Sequence, residues 1–393
     1  MSDAEIELRK LLDRLTEKLK YKDAEITIKD LNSGGANYTS KLFSATIATP
    51  DREPLKLFAK VASVSEMLRK AINLDTMFKT EQLVYNKLVD VFEKIQDKHD
   101  VSAEHRYEFP KFFDGQSTAG KESVVMEDLT QSGYTTYSRF KSLDYEHAAA
   151  AVQCLARFHA LSFAFQHEDP ENFAEVAGKV KHQRQTNPDD PAMKGTYMKM
   201  LSAAVEATND VHKARIVKFF DVENVHHEFE KFREPLGTTV LCHGDYRASN
   251  LLFRRQAGRI EPIVVDYQTL HTGCPAMDIL YLEFISTDEK FRRQHHEELV
   301  ESYFQEFSAS LARLGLDVNE VYPRETFDSE FQQMLGPALR TCSVVLPLVL
   351  VEAGQAPTFG EVSSIDSFAL SPTQRFAERF SGVVSDCVRW GVL

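Results

Sequence analysis

His243-Gly-Asp245-Tyr-Arg-Ala-Ser-Asn250, followed by Val264-Val-Asp266-Tyr-Gln268, is the stretch on which the reading of this chain turns. The octapeptide lies between two brief apolar runs at residues 238–241 and 251–253, and Asp266 follows a third at 263–265. Apolar runs of this length bounded by polar loops read as strands. Asp245, Asn250 and Asp266 are therefore predicted to converge on one loop edge. Asp245 and Asn250 stand five residues apart, so a tight loop can aim the first at one partner and turn the second towards a cation beside Asp266. Phosphoryl transfer needs this set: a carboxylate that orients an attacking hydroxyl and takes its proton, and oxygen ligands that hold magnesium on nucleotide phosphates. The plainer alternative is that His243 and Asp245 make turn hydrogen bonds ahead of a strand. The fixed offsets and the strand context favour chemistry.

Towards the N-terminus, residues 25–30, 39–49 and 55–61 are strand-like, with Ser33-Gly-Gly35 and Pro50-Asp-Arg in the gaps, and they predict a small antiparallel sheet. Phe78, Glu81, Tyr85, Leu88 and Phe92 recur at spacings of three and four, which predicts a helix, and residues 109–113 and 123–126 read as two further strands. The first lobe is expected to end near Leu129. Residues 144–165 are strongly helical, 166–234 mainly so, and after the strands around the octapeptide helical patterning resumes to the C-terminus. The expected fold class is α+β with two lobes: residues 1–129 hold a small antiparallel sheet, and residues 130–393 form a larger, mainly helical lobe.

The N-terminal region supplies a second set of candidates. Leu57-Phe-Ala-Lys60-Val61 places a lysine at the end of an apolar strand, where it reaches inward towards phosphates. Glu81 shares a helix face with Phe78, Tyr85 and Leu88, and would be desolvated there unless paired with a cation. Lys60 is its expected partner. Taken alone, Lys60 reads equally well as an edge-strand solubiliser and Glu81 as a surface residue; beside the catalytic loop, the paired reading prevails. Ser33-Gly34-Gly35-Ala-Asn37-Tyr-Thr-Ser40 lies between the first two strands, where backbone amides freed by glycine can approach phosphates, although such a stretch is more often a hairpin turn.

The octapeptide and the Asp266-Tyr-Gln268 triplet resemble those of the aminoglycoside and choline kinase superfamily, specifically the insect ecdysteroid kinase-like family, over residues ~25–350. The resemblance implies a protein-kinase-like fold using ATP and Mg2+. It implies that Asp245 is the catalytic base and that Asn250 and Asp266 bind magnesium, and the strand position of Lys60, paired with Glu81, independently makes it the phosphate-binding lysine. The glycine loop departs from the family's glycine-glutamate-asparagine-aromatic sequence at Gly35-Ala36-Asn37-Tyr38, while its position still assigns Gly34, Gly35 and Asn37 to the phosphates. Val125-Met-Glu127-Asp-Leu129 resembles the family's adenine-binding hinge and so implicates Glu127 and Leu129, the alternative being a simple linker. By the same resemblance, Asp278 is an acidic residue that supports the catalytic loop. His159 reads as a buried structural histidine. His226-His-Glu228 and His295-His-Glu-Glu298 lack the spacing of a zinc helix and read as solvated helix faces.

Composition bounds the rest. With 393 residues and 43% hydrophobic content the chain can bury more than one ordinary core. Its net charge of −13 repels polyphosphate backbones, so nucleic acid is not an expected partner. Met1 to Lys20 reads as an amphipathic helix without a secretory apolar core, and the longest apolar stretch, at 342–351, is half a bilayer span and contains Pro347. No membrane span is predicted. Five scattered cysteines fit a reducing, cytoplasmic setting. No motif bears on oligomeric state.

The expected partner is a small molecule with a hydroxyl group. A protein acceptor needs an extended platform after Asp266, whereas Gly273-Cys-Pro-Ala-Met-Asp278 leads almost directly into a helix. A choline-type acceptor needs an aromatic cage, which a single tryptophan, Trp390, does not advertise. The 27 phenylalanines suit an apolar cleft and a hydrophobic alcohol. The resemblance makes that alcohol an ecdysteroid phosphorylated at its 22-hydroxyl, with a xenobiotic or plant-derived alcohol or a choline-like substrate as alternatives. A reading of another class is a pseudokinase or lipophilic-ligand carrier.

Overall fold

A computed structural model of the chain describes residues 2–31, 39–180, 191–352 and 369–393. Helix α1 (Asp3–Lys18) starts at Ser2, whose hydroxyl accepts the Glu5 N–H. Leu8, Leu11, Leu12 and Leu15 are all buried on it. They pack on one side of an antiparallel sheet made of β1 (Glu25–Leu31), β2 (Ser40–Thr49), β3 (Arg52–Ala62), β4 (Phe112–Gln116) and β5 (Ser123–Glu127), in the order β1-β2-β3-β5-β4. Side chains alternate across a strand. On β3, Leu57, Ala59 and Val61 join the α1 leucines in one apolar cluster, which leaves Phe58 and Lys60 on the opposite face. Strand parity thus turns Lys60 towards the rest of the molecule.

Between β3 and β4 run α2 (Glu66–Ala71), α3 (Leu74–Leu83), a π-helical segment (Val84–Leu88) and α4 (Val89–Lys98). Phe78, Glu81, Tyr85, Leu88 and Phe92 are all buried, as their spacing predicts. The wide π turn, a feature common near functional sites, starts three residues after Glu81. Strand β4 starts at Phe112, three residues beyond the expected 109, because Pro110 has no N–H to give a ladder. Lys111 reaches the sheet instead through Glu127: its N–H donates to Glu127 Oε1 at 2.7 Å and its carbonyl accepts the Glu127 N–H at 2.9 Å.

The remainder is mainly helical. It comprises β6 (Thr135–Thr136), α5 (Tyr145–Glu168), α6 (Pro170–Val180), α7 (Pro191–Ala207), α8 (Asp210–Phe220), α9 (Val225–Glu230), β7 (Val240–Cys242), β8 (Leu251–Gln256), β9 (Arg259–Val264) and β10 (His271–Gly273). Helices α10 (Pro275–Ser286), α11 (Glu289–Arg313), α12 (Val318–Val321), α13 (Arg324–Val349) and α14 (Gln374–Arg389) follow. β8 and β9 form a hairpin extended by β6, and β10 pairs antiparallel with β7. β10 interrupts the helical patterning expected after residue 265; three residues are too few for an alternating signal. The architecture is therefore α+β, a small antiparallel sheet beside a larger helical lobe.

Helix α10 is buried along all 12 of its residues, so it is apolar all round rather than striped. The apolar stretch at 342–351 falls largely in α13, which carries Pro337 and Pro347 in its interior. Among the described residues one helix, α5, is long and apolar enough to cross a membrane by length and composition, and 78% of that window is buried inside the protein, as in a core helix. All five cysteines are free thiols and buried.

Candidate active site

The loop from His243 to Asn250 leaves β7 and enters β8 through a 3-10 turn, Ala248–Asn250. Gly244 has φ +82°, and a Cβ there would lie 2.4 Å from the Thr269 carbonyl, so only glycine fits. Helix α10 holds the loop at both ends. Asp278 in its first turn accepts the His243 N–H at 2.7 Å and the Gly244 N–H at 2.9 Å, and Ser286 in its last turn accepts the Ala248 N–H at 2.9 Å. Tyr246 donates to the Ala151 carbonyl of α5 at 2.8 Å, and Thr269 to the His243 carbonyl at 3.0 Å. His243 Nε2 lies 3.1 Å from the Val265 carbonyl while Nδ1 accepts the Asp245 N–H, contacts that select the Nε2–H tautomer. Burial pushes the Asp278 carboxyl up, but the hydrogen bond and charge of His159 and the Gly244 N–H outweigh it and hold the group below its ordinary range.

Asp245 is held by three side chains. Oδ1 accepts Tyr281 Oη at 2.7 Å and Arg247 Nε at 2.8 Å, and Oδ2 accepts Asn250 Nδ2 at 2.9 Å. Asn250 Nδ2 also donates to the Asp245 carbonyl at 2.9 Å. Two acceptors at one amide atom identify it as the nitrogen, which turns Asn250 Oδ1 away from Asp245. Burial raises the Asp245 carboxyl, yet the adjacent Arg247 guanidinium and the Tyr281 hydroxyl win and keep it low, so it is ionised at neutral pH.

Asp266 follows β9 with φ +70°, a backbone region that aspartate tolerates better than most residues. Its Oδ1 accepts Lys60 Nζ at 2.6 Å. The same ammonium donates to Glu81 Oε2 at 3.0 Å and Gln268 Oε1 at 2.7 Å. Burial works against the Lys60 charge, but the Asp266 and Glu81 carboxylates outweigh it and raise its pKa; burial likewise pushes the Glu81 carboxyl up, opposed by Lys60. Tyr267 is fully buried, with its hydroxyl 2.5 Å from that of Tyr107 and its ring against Tyr85, Phe109, Phe158 and His243. This ring joins the helical segment that follows Glu81, the core helix α5 and the 243–250 loop.

Of the residues singled out in sequence, Lys60, Glu81 and Asp266 come together in one ion-paired group, and Asp245 and Asn250 in a hydrogen-bonded pair. Glu127 ends β5 and Leu129 opens a 3-10 turn beyond it. Gly34, Gly35 and Asn37 lie outside the described residues. His159 is buried, bonded to Tyr303 and Asp278. The solvated reading of His295-His-Glu-Glu298 is corrected for His296. It packs 4.3 Å from the Trp390 ring and pairs with the buried Glu283 at 2.9 Å, because the helix face it occupies meets α10 and the C-terminal residues. Three residues escaped the sequence reading: Arg247 and Gln268, both inside the quoted motifs, and Tyr281, one helical turn after Asp278.

A model of the ecdysteroid kinase-like family matches residues 34–316 of the chain. A kinase-like protein of Caenorhabditis elegans is 22% identical over 207 residues, which is 52% of this chain and 52% of that relative, so the match spans about half the relative's length. Among solved structures, a type VIII aminoglycoside-3'-phosphotransferase aligns at 16% identity and a TM-score of 0.33, covering 77% of this chain and 96% of that one. A microcompartment-associated aminopropanol kinase aligns at 11% identity and a TM-score of 0.40, covering 97% and 98%.

Proposed function

The chain belongs to the ecdysteroid kinase-like family, and from that premise we propose that it is an ATP- and Mg2+-dependent small-molecule kinase whose acceptor is the 22-hydroxyl of an ecdysteroid. On this reading the nucleotide would bind between lobes 1–129 and 130–393, and the protein would work in a reducing, cytoplasmic setting. The observation that carries the reading is the meeting of Lys60 and Glu81 from the first lobe with Asp266, beside a loop that presents Asp245 and Asn250. The donor set fits a hard cation: Asn250 Oδ1 is turned away from Asp245, and the Asp266 carboxylate keeps 25% of its side-chain surface exposed. Magnesium bound there would neutralise charge on the nucleotide phosphates.

The chain's own residues supply the rest. Asp245 Oδ1 already accepts two hydrogen bonds and Oδ2 one, so Oδ2 retains an acceptor position for the substrate hydroxyl. An ionised carboxylate held low by Arg247 is a weak base, so Asp245 orients the hydroxyl first and takes its proton late. The acceptor oxygen bonds to the γ-phosphorus as the bond from phosphorus to the β–γ bridging oxygen breaks; ADP leaves with that electron pair and the hydroxyl proton passes to Asp245. Lys60, fixed by Glu81, offsets charge on the phosphates. By their resemblance to the family's hinge, Glu127 and Leu129 are assigned to the adenine, and Gly34, Gly35 and Asn37 to its phosphates.

The test is ATP consumption by the purified protein with magnesium across ecdysteroids, sterols, choline, aminosugars and plant phenolics, with mass spectrometry of each product. A phosphorylated ecdysteroid whose formation falls at least about a hundredfold in Asp245→Asn is the expected result. Phosphorylation of another panel member would replace the substrate with a xenobiotic alcohol or choline-like one. Nucleotide binding without turnover would identify a pseudokinase or carrier.

A further inference from the structure

We infer that Arg247 is a further catalytic residue, the cation that meets the γ-phosphoryl group during transfer. The inference rests on the kinase reading of the same site. Lys60 is the obvious phosphate-binding cation, but an ammonium has three donors, and Glu81, Asp266 and Gln268 take all three. Lys60 therefore offsets phosphate charge from the side of the site where Asp266 sits. On the other side, Arg247 is the one lysine or arginine ion-paired with Asp245 among the described residues, whereas Lys60 pairs with Asp266.

Arg247 sits midway between Asp245 and Asn250 on the catalytic loop. Its Nε donates to Asp245 Oδ1 at 2.8 Å and its Nη1 to Ser249 Oγ, with only 12% of the side chain exposed. A guanidinium has five N–H donors, and these bonds engage two of them. In-line transfer aligns the acceptor oxygen held by Asp245, the reacting phosphorus and the β–γ bridging oxygen, with the assigned metal ligands Asn250 and Asp266 beside the phosphates. Arg247 is anchored on one of those groups and carries spare donors in a geometry suited to phosphate oxygens. Burying such a charge is costly unless it is paired. Asp245 provides the pairing, and the charge is held ready at the point where negative charge redistributes.

Binding separates this role from simple positioning of Asp245. Affinities of wild type, Arg247→Ala, Arg247→Gln and Tyr281→Phe are measured by calorimetry for two ligands with magnesium: a non-hydrolysable ATP analogue and ADP. A contact to the γ-phosphoryl predicts that Arg247→Ala and Arg247→Gln weaken the analogue by about tenfold or more and leave ADP within about twofold, since a hydrogen bond between charged groups is lost for only one of the ligands. Tyr281→Phe removes the other bond to Asp245 Oδ1 without removing charge and is expected to change neither affinity. Thermal denaturation of each variant, with Arg247→Gln able to keep a neutral donor on Asp245, verifies that the variants are folded. Equal weakening of both ligands, or of neither, overturns the inference while leaving the kinase reading in place. A wild type that binds neither nucleotide overturns the kinase reading itself, and the inference with it.

Discussion

Replacing Asp278 by asparagine tests whether α10 holds the catalytic loop. Both carboxylate oxygens are committed, one to the His243 N–H at 2.7 Å and one to the Gly244 N–H at 2.9 Å, and the side chain is fully buried. Asparagine keeps one acceptor oxygen and turns its NH2 against the second N–H. One hydrogen bond to a charged acceptor, worth about 1.5–3 kcal/mol, is lost, and one buried donor is left unsatisfied at a further cost of about 1–3 kcal/mol. The expected loss is therefore about 3–5 kcal/mol, a large share of the roughly 5–15 kcal/mol by which proteins are stable. Urea denaturation reads it as a lower midpoint at unchanged slope. The pH dependence gives a second reading. Against the push of burial, His159 and the Gly244 N–H hold the folded pKa of Asp278 below its ordinary 3.8. A group lowered on folding contributes stability that is complete above its unfolded value and lost as pH falls through its folded value. Wild type then loses this contribution at pH values below about 4, and Asp278→Asn lacks that part of the acid limb. An unchanged midpoint, or an identical acid limb, would show that the loop does not depend on these two bonds.

Two further outcomes follow from particular residues. Gly244→Ala meets both a φ of +82° and a carbonyl 2.4 Å from the new Cβ, whereas Gly258→Ala meets φ +81° with no atom within 4 Å. The first is expected to lose at least about 3 kcal/mol and most of its turnover, the second about 1 kcal/mol and little turnover, and equal losses would refute the close approach at Thr269. For His296, burial lowers the imidazole pKa but the charge and hydrogen bond of Glu283, with a smaller contribution from Asp386 against Arg292, raise it above 6.5. A raised folded pKa means stability present below the unfolded value and lost as pH rises through the folded one. Wild type is thus expected to be more stable at pH 6 than at pH 8.5, by an amount that His296→Gln lacks, and a variant with the same slope between those pH values would remove the Glu283 pairing from the account.

Local rules made much of this molecule legible. The three and four spacing of Phe78, Glu81, Tyr85, Leu88 and Phe92 marked a buried helical face, and a carboxylate on such a face demands a cation. Lys60 on an apolar strand was that cation, and the pair forms at 3.0 Å. The alternation that sends Leu57, Ala59 and Val61 to α1 and Lys60 to the other side is likewise written in the strand. The octapeptide told that Asp245 and Asn250 share a loop because five residues of separation leave the chain little choice. Where the pattern was short or a proline intervened, local reading slipped: β10 has three residues, and β4 begins only after Pro110.

Contacts between distant segments belonged to the tertiary structure. Lys60 and Asp266 are 206 positions apart, and only the packing of the sheet against the loops beyond β9 brings them to 2.6 Å. Tyr281 reaches Asp245 because α10 is buried on every side and its second turn faces the loop, a choice that no amphipathic stripe announces. Arg247 and Gln268 were visible as letters within the motifs, but their partners were not, since a side chain's direction in a loop depends on the walls around it. His296 reads as a solvent residue until α10 and Trp390 close over it. Sequence alone determined most of the elements, the faces of the striped ones and the residues able to carry the chemistry, because those follow from short-range periodicity and residue type. The tertiary fold decided which of those residues touch, because that depends on how buried faces are matched across the whole chain.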